Sequence, residues 1–265
     1  MAPRLLILGR GYIAMRLPAP ALFLPHTAVH DGSLPPDIDA VLWGGRHPAL
    51  GTPAWRLEDE LELKAARLAA ARDLPFLSLG TRKVYAPSTA PLREDSPLGP
   101  TDRYGEQKLL IEKALQSILG DRLTRLRLSN LFGPELGRTT FMGRMLTTLV
   151  DQDEIRFDMS PFTRRDFIPV ETAGRAIAAL LQAPPGGIVN VGSGIALECG
   201  RLALWLLEGF GRGHLVCESW QERDAFVLAV DRLRRLTGVA CDETVLRETC
   251  LGLGQAARGT NQWPI

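Results

Sequence analysis

Tyr104 and Lys108 stand four apart in the run Tyr104-Gly105-Glu106-Gln107-Lys108, which puts both side chains on one face of a helix. An ammonium held beside a phenol favours the phenolate by Coulomb attraction, so a group with a free pKa of about 10 can exchange protons near neutrality. Thr81, at the end of a preceding apolar run, is placed to donate a second hydrogen bond to a carbonyl or alkoxide oxygen. A Tyr-x-x-x-Lys alone arises by chance on many solvated helices. Here it follows a glycine turn, Gly9-Arg10-Gly11-Tyr12-Ile13-Ala14, and the strand end at Thr81, in the order that one active site needs. Glycine lets a backbone approach a pyrophosphate closely, and a helix opening after such a turn offers free N–H groups and a partial positive charge.

These residues need elements to position them. Leu5-Leu6-Ile7-Leu8 reads as a first strand leading into the glycine turn and a helix. A second strand is expected at Thr27-Ala28-Val29-His30, ending at Asp31, where an acid accepts hydrogen bonds from an adenosine ribose and favours NAD over NADP. Arg10 facing a 2′-phosphate argues the other way, so NADP stays open, and Asp31 serves equally well as a turn former ahead of Gly32. The third apolar run, Ala40-Val41-Leu42-Trp43 before Gly44-Gly45, is reached through Gly32 to Asp39 with Pro35 and Pro36 inside it. No crossover helix fits there. A strand and its helices are therefore expected to be missing, which shortens the sheet at one edge and opens the adenosine end of any cofactor site. A helix over 58–72, a strand at Phe76-Leu77-Ser78-Leu79 after Pro75, a proline-rich loop and a helix over 102–119 complete the frame.

With 265 residues, 45% hydrophobic, 23% charged and a formal net charge of +1, the chain falls in the ordinary globular class. No basic block of the kind that tracks phosphates is present, so nucleic acid is excluded as a partner. No apolar run approaches the roughly 20 residues of a membrane span, and the first strand follows the N-terminus too soon for a signal peptide. The expected compartment is cytoplasmic. Cys199, Cys217, Cys241 and Cys250 form no C-x-x-C pair, which indicates neither a disulfide framework nor a metal site.

Five segments together resemble the NAD-dependent epimerase/dehydratase family of extended short-chain dehydrogenases/reductases. They are Gly9 to Ala14, Thr81-Arg82-Lys83-Val84-Tyr85, Tyr104 to Lys108, Arg127-Leu128-Ser129-Asn130-Leu131-Phe132-Gly133-Pro134 and Arg165-Asp166-Phe167-Ile168-Pro169-Val170. The resemblance implies an α/β protein. A Rossmann-like doubly wound parallel sheet would be formed by 1–134 and 164–192, and a small substrate-binding lobe by 135–163 and 193–265. It implies Tyr104 as acid/base, Lys108 as the residue that tunes it and binds the nicotinamide ribose, and Thr81 as the group that fixes the reacting oxygen. Gly9, Arg10, Gly11, Tyr12, Ile13, Asp31 and Gly44 would line the cofactor. Asn130, Arg165 and Arg223 would hold a nucleotide-sugar substrate; Asn130 as a turn cap and Arg165 as a partner of Asp166 are the alternatives.

The departures from the family pattern are informative too. Leu8 and Ala14 stand where the family usually has glycine, and Arg82-Lys83 replaces the acidic pair that sugar dehydratases place after the threonine. The expected reaction is therefore hydride transfer at a sugar carbon, as 4-epimerisation or 4-keto reduction. A non-catalytic dinucleotide-binding scaffold and a reductase of a small non-nucleotide carbonyl are the competing readings. The resemblance also implies a homodimer through the helices 58–72 and 102–119.

Overall fold

The computed structural model describes residues 3–259, so the outermost ends of the two expected lobes, 1–2 and 260–265, lie outside the described residues. Twelve strands occur in chain order: β1 (Leu5–Leu8), β2 (Ala21–Leu24), β3 (Ala40–Trp43), β4 (Phe76–Thr81), β5 (Leu123–Leu128), β6 (Asn130–Phe132), β7 (Glu154–Phe157), β8 (Arg164–Arg165), β9 (Phe167–Pro169), β10 (Gly187–Val191), β11 (Leu197–Glu198) and β12 (His214–Cys217). Six of them form one sheet in the order β10-β5-β4-β3-β1-β2, every pair parallel. The other six make two-stranded pairs, β11 with β8, β12 with β7 and β6 with β9. Seven α-helices accompany them: α1 (Leu61–Ala70), α2 (Arg103–Leu119), α3 (Phe141–Gln152), α4 (Val170–Gln182), α5 (Cys199–Phe210), α6 (Asp231–Thr237) and α7 (Glu243–Ala257). Among the described residues no helix is long and apolar enough to cross a membrane.

Both faces of the sheet are covered, and for that reason β1 and β3 read as unbroken apolar runs rather than alternating ones. Leu6, Leu8, Val41, Trp43 and Phe76 pack on one face against Ala65, Ala66 and Ala69 of α1 and Ile111, Leu115 and Leu119 of α2. Leu5, Ile7, Leu42, Leu77 and Leu126 pack on the other face against Ala173, Ala176 and Ile177 of α4. That second cluster continues through Met145 of α3, Leu206 of α5 and Cys250 of α7, so the C-terminal helices share a core with the sheet.

The N-terminal edge departs from expectation. The helix foreseen after the glycine turn is a single 3-10 turn, Ala14–Arg16, because Pro18 and Pro20 follow at once and Leu17, ahead of Pro18, is already extended. The chain therefore enters its second strand early, at Ala21–Leu24 between Pro20 and Pro25, and this strand is the sheet's edge. The strand expected at Thr27–His30 is instead part of a 3-10 helix, His26–Asp31, closed by Gly32 at φ +74°. Only Val29 of that helix is buried. Asp31 consequently ends a helix on the surface instead of ending a strand.

The remaining expectations agree more closely. Helix 58–72 divides into a 3-10 turn at Leu57–Asp59 and α1 from Leu61, helix 102–119 is α2 with Asp102 as its N-cap, and the fourth strand runs on to Thr81.

Candidate active site

The Tyr104-Lys108 pair is positioned by the start of α2. Asp102 caps the helix by accepting the Gly105 N–H at 2.8 Å, and its other oxygen pairs with the Lys83 ammonium. Those bonds and the Lys83 charge outweigh the effect of burial and hold the Asp102 carboxyl below the ordinary aspartate value. Gly105 has no side chain to hold the helix away from the Lys83 carbonyl oxygen, which a Cβ at that position would overlap. The first turn of α2 therefore lies against the turn that follows Thr81. Buried Gln107 ties the loop over Tyr104 in place, accepting the Gly51 N–H at 2.6 Å and donating to the Thr52 carbonyl at 2.9 Å. Thr81 accepts the Lys83 N–H at 3.3 Å, and no acceptor takes its own hydrogen among the described residues.

Lys108 is buried and donates to the Leu79 carbonyl at 2.9 Å. Burial by itself lowers an ammonium's pKa. Here Glu62 first, then Tyr104, Glu60 and Glu112, outweigh burial and hold Lys108 above the ordinary lysine value. Glu112, one turn further along α2, meets the Arg127 guanidinium at 2.7 Å, with both side chains almost wholly enclosed. Arg127 in turn lies 4.6 Å from the centre of the Tyr85 ring, and the Tyr85 hydroxyl donates to Asn190 Oδ1 at 2.7 Å. A buried charged seam thus crosses the sheet beneath the Tyr-Lys pair. Its members face one side because register places Gly80 opposite Arg127 and Arg127 opposite Asn190.

In front of the pair opens a cleft of about 1040 Å³. Its walls come from the turns after β1, β3, β4 and β5, the carboxyl ends of strands that flank the reversal in strand order between β1 and β3. Doubly wound sheets bind ligands at that place. That volume stands at the upper end of the range for a ligand pocket. Four buried polar atoms on the wall have no partner among the described residues: Tyr12 Oη, Ser129 Oγ, Asn130 Nδ2 and Glu135 Oε2. Unpaired groups of this kind are costly unless a ligand or water meets them; the first three can donate and fit a polar, phosphate-bearing cofactor, and Glu135 Oε2 fits a ligand's hydroxyl.

Arg10, Arg16, Arg46 and Arg138 also line the cleft, and Arg10 has no partner among the described residues. Arg16 and Arg138 sandwich the Tyr12 ring at 4.0 and 4.5 Å. Burial, with the Glu135 charge, raises the Tyr12 phenol above its ordinary value, and burial pushes the Glu135 carboxyl up to about 7.

The glycine turn has a second occupation. Gly9, at φ +108°, accepts no side chain because a Cβ would stand 2.6 Å from the Gly45 nitrogen, and one at Gly11 would stand 2.7 Å from the Gly44 carbonyl oxygen. The turns after β1 and β3 are therefore packed backbone to backbone.

Of the residues picked out from sequence, Arg10, Gly11, Tyr12, Ile13, Gly44, Thr81, Tyr104, Lys108 and Asn130 line the one cleft, and Gly9 lies directly behind it. Asp31 is not among them. Arg165 donates to the carbonyls of Arg223 at 2.8 Å and Asp224 at 3.2 Å, and its guanidinium stands 5.4 Å from the ring of Phe141, itself a wall of the cleft. Among the described residues it pairs with neither Asp166 nor any other carboxylate. Arg223 is exposed, and its side chain reaches Gln221 at 3.5 Å. Asp166 instead gathers the N–H groups of Ser193, Gly194 and Leu228.

Arg16, Arg46, Ser129, Glu135, Arg138 and the buried Glu60 and Glu62 were not picked out from sequence. Glu62 did carry a signal, an acid at the head of an otherwise apolar helix face. Apart from Arg16, which ends a 3-10 turn, the others sit on loops that periodicity does not address.

The sheet and the cleft at its carboxyl edge define a doubly wound nucleotide-binding protein with a Tyr-x-x-x-Lys pair. The chain belongs to the NAD dependent epimerase/dehydratase family, whose sequence profile matches residues 54–192, a little over half of the chain. The match opens after β1, β2 and β3. No curated protein is similar enough in sequence to match. Solved structures of the same fold include a UDP-N-acetylglucosamine 4-epimerase from Bacillus cereus, at 16% identity over 97% of this chain and 100% of that one, TM-score 0.79. MoeE5 in complex with UDP-glucuronic acid and NAD is 16% identical over the same shares of the two chains, TM-score 0.77. RMD from Pseudomonas aeruginosa, complexed with NADPH, is 20% identical over 96% of this chain and 99% of that one, TM-score 0.77.

Proposed function

We propose that this chain is an NAD(P)-dependent oxidoreductase that acts on a nucleotide-activated sugar, by 4-epimerisation or reduction of a 4-keto group. The observation that carries this reading is the convergence of Tyr104, Lys108 and Thr81 on one cleft of about 1040 Å³. A bound nicotinamide supplies hydride exchange with a sugar carbon.

The chain's own residues do the rest. Thr81, whose hydrogen is unclaimed, donates to the reacting oxygen and fixes its position. Tyr104 gives that oxygen a proton in reduction and takes one in oxidation, while the Lys108 charge favours the phenolate partner of each exchange. Asn130 Nδ2, together with the first turn of α3 at Thr140 and Phe141, faces the substrate's diphosphate, where a helix N-terminus favours an anion. Arg82 and Lys83 are held by Asp224 and Asp102, so no free acid follows Thr81 to drive loss of water. Asp31 and Arg223 have no part in this reading, and Arg165 acts through the Phe141 wall. Exposed Leu110 on α2 is where a second copy would pack in the proposed homodimer.

Tyr104→Phe tests the assignment. Turnover of a UDP-, dTDP- or GDP-sugar identified by screening should fall about 10²- to 10⁴-fold with binding retained, the range of a lost acid/base. Unchanged turnover would end it. The scaffold reading draws on the three-residue helix and the filled glycine turn. Titration with NADH and NADPH separates the two, because a chain that binds neither is no oxidoreductase.

A further inference from the structure

Glu62 is not used by the mechanism above, yet it is 1% exposed and lies behind the reacting pair. Three consecutive residues of β4 each meet an ionisable side chain. Ser78 donates its hydroxyl to Glu62 at 2.5 Å, Leu79 accepts the Lys108 ammonium at 2.9 Å, and Gly80 leaves room for Glu112, whose oxygen would stand 3.0 Å from a Cβ there. Glu62, Glu60 and Glu112 act through their charge on one buried ammonium, without an ion-pair contact to it among the described residues. Two have a further claim on their charge: Glu112 is taken by the Arg127 guanidinium, and Glu60 accepts the Trp55 indole N–H at 2.5 Å. Glu62 has only a neutral hydroxyl. The groups that face it are Ser78 from β4, Lys108 and Glu112 from α2, and Glu60 from the turn before α1. Its charge is therefore answered chiefly by Lys108.

We propose that Glu62 is a positioning residue for the Tyr104-Lys108 pair, which through its charge on Lys108 sets the pH at which the Tyr104 phenol gives up its proton. An ionised Glu62 neutralises part of the field that the ammonium exerts on the phenol, and a neutral group at the same place leaves that field whole. Burial pushes the Glu62 carboxyl up to about 7, against the pull of Lys108 and Ser78, so its charge changes in the range where the phenol must work. The proposal rests on Tyr104 as the proton-moving group, but its test needs neither substrate nor cofactor.

The chain has three tyrosines, and burial raises both Tyr12 and Tyr85 above the ordinary range. Phenolate absorbance at 295 nm is followed upward from neutral pH, and the transition that Tyr104→Phe removes is the one that reports Tyr104. In Glu62→Gln the transition should shift to lower pH. In Ser78→Ala, which withdraws the donor that favours ionised Glu62, it should shift the same way by less, and in Glu62→Asp it should return toward the unsubstituted position. Should Glu62→Gln fail to fold, Glu62→Met, equally neutral and suited to an enclosed site, decides in its place. A transition that stays in place or moves to higher pH overturns the proposal, whatever Tyr104→Phe does to turnover. A transition that shifts as expected supports it even where Tyr104→Phe leaves turnover unchanged, in which case the functional reading falls and the coupling stands.

Discussion

The two ends of the cleft are built on different principles. At the Tyr104 end every working side chain stands on a regular element, on α2 or at the end of β4, and is anchored from behind by the buried seam from Glu62 through Arg127 to Asn190. At the Arg10 end the wall consists of turns and a three-residue 3-10 helix, with two glycine turns packed against each other. The family match covers the first end and, of the four arginines at the second, leaves out Arg10, Arg16 and Arg46. Proton transfer needs groups held within tenths of an ångström, whereas a charged ligand is attracted by any nearby opposite charge. Charge can stand in for geometry there: Arg10, Arg16, Arg46 and Arg138 line that end of the cleft, and the glycine turn opens only a three-residue helix.

If rigidity is concentrated at the Tyr104 end, cutting its seam should have the largest effect. Arg127→Met leaves Glu112 buried without its partner, and loss of one member of such a pair costs about 3–5 kcal/mol. Urea unfolding should show that loss, and adding Glu112→Leu should restore most of it. A single-variant loss under 1 kcal/mol would mean that the seam holds nothing. At the other end, Gly9→Ala places a methyl against the Gly45 backbone at a left-handed φ and should cost about 2–3 kcal/mol in the same measurement. A smaller cost there would show that the two turns part easily, which would sharpen the contrast further.

Glu135 offers a test that depends on pH. Burial raises its folded carboxyl to about 7, so between about 4.5 and 7 the folded chain binds a proton that the unfolded chain has released, and stability is lost as pH rises through that window. Glu135→Gln removes this loss. It should stabilise the chain by about 2 kcal/mol at pH 8, and the gain should vanish near pH 4.5. Thermal unfolding at the two pH values checks it. A destabilised variant at pH 8 would mean that the Arg138 pair, at 3.5 Å, outweighs the burial.

The sheet and the reacting pair were legible in the sequence because their signals are local and periodic. Leu5–Leu8 and Ala40–Trp43 are apolar runs of strand length, and the four-residue spacing of Tyr104 and Lys108 has meaning only on a helix. The second strand was misplaced because the distance from the glycine turn to Asp31 assumes a full helix between them. Pro18 and Pro20 abolish that helix, and the spacing of the motif carries no sign of them. Arg165 illustrates a different limit. Its sequence neighbour Asp166 offered a carboxylate, yet Asp166 turns inward to three backbone N–H groups and leaves the guanidinium to the carbonyls of Arg223 and Asp224. No local pattern encodes that choice, since both sets of partners come from residues after 190.

The smallest effect expected is also the one that asks most directly whether charge has replaced geometry at the Arg10 end. Arg10 lines the cleft without a partner among the described residues, so removing it breaks no hydrogen bond or ion pair there. Arg10→Ala should then leave the unfolding midpoint unchanged and weaken dinucleotide binding about tenfold, which is about 1.4 kcal/mol. The loss should shrink as salt is raised, because added ions screen a side-chain charge at the cleft mouth. Asp31→Ala should leave binding alone, since that carboxylate ends a surface 3-10 helix away from the cleft wall. The reverse pattern, with Asp31 required and Arg10 dispensable, would mean that the edge residues fold over the ligand on binding and that the N-terminal region still selects its cofactor by shape. Fluorescence titration of each variant with NADH and with NADPH distinguishes the two, and the ratio of the two affinities shows whether Arg10 meets a third phosphate or only the diphosphate that both share.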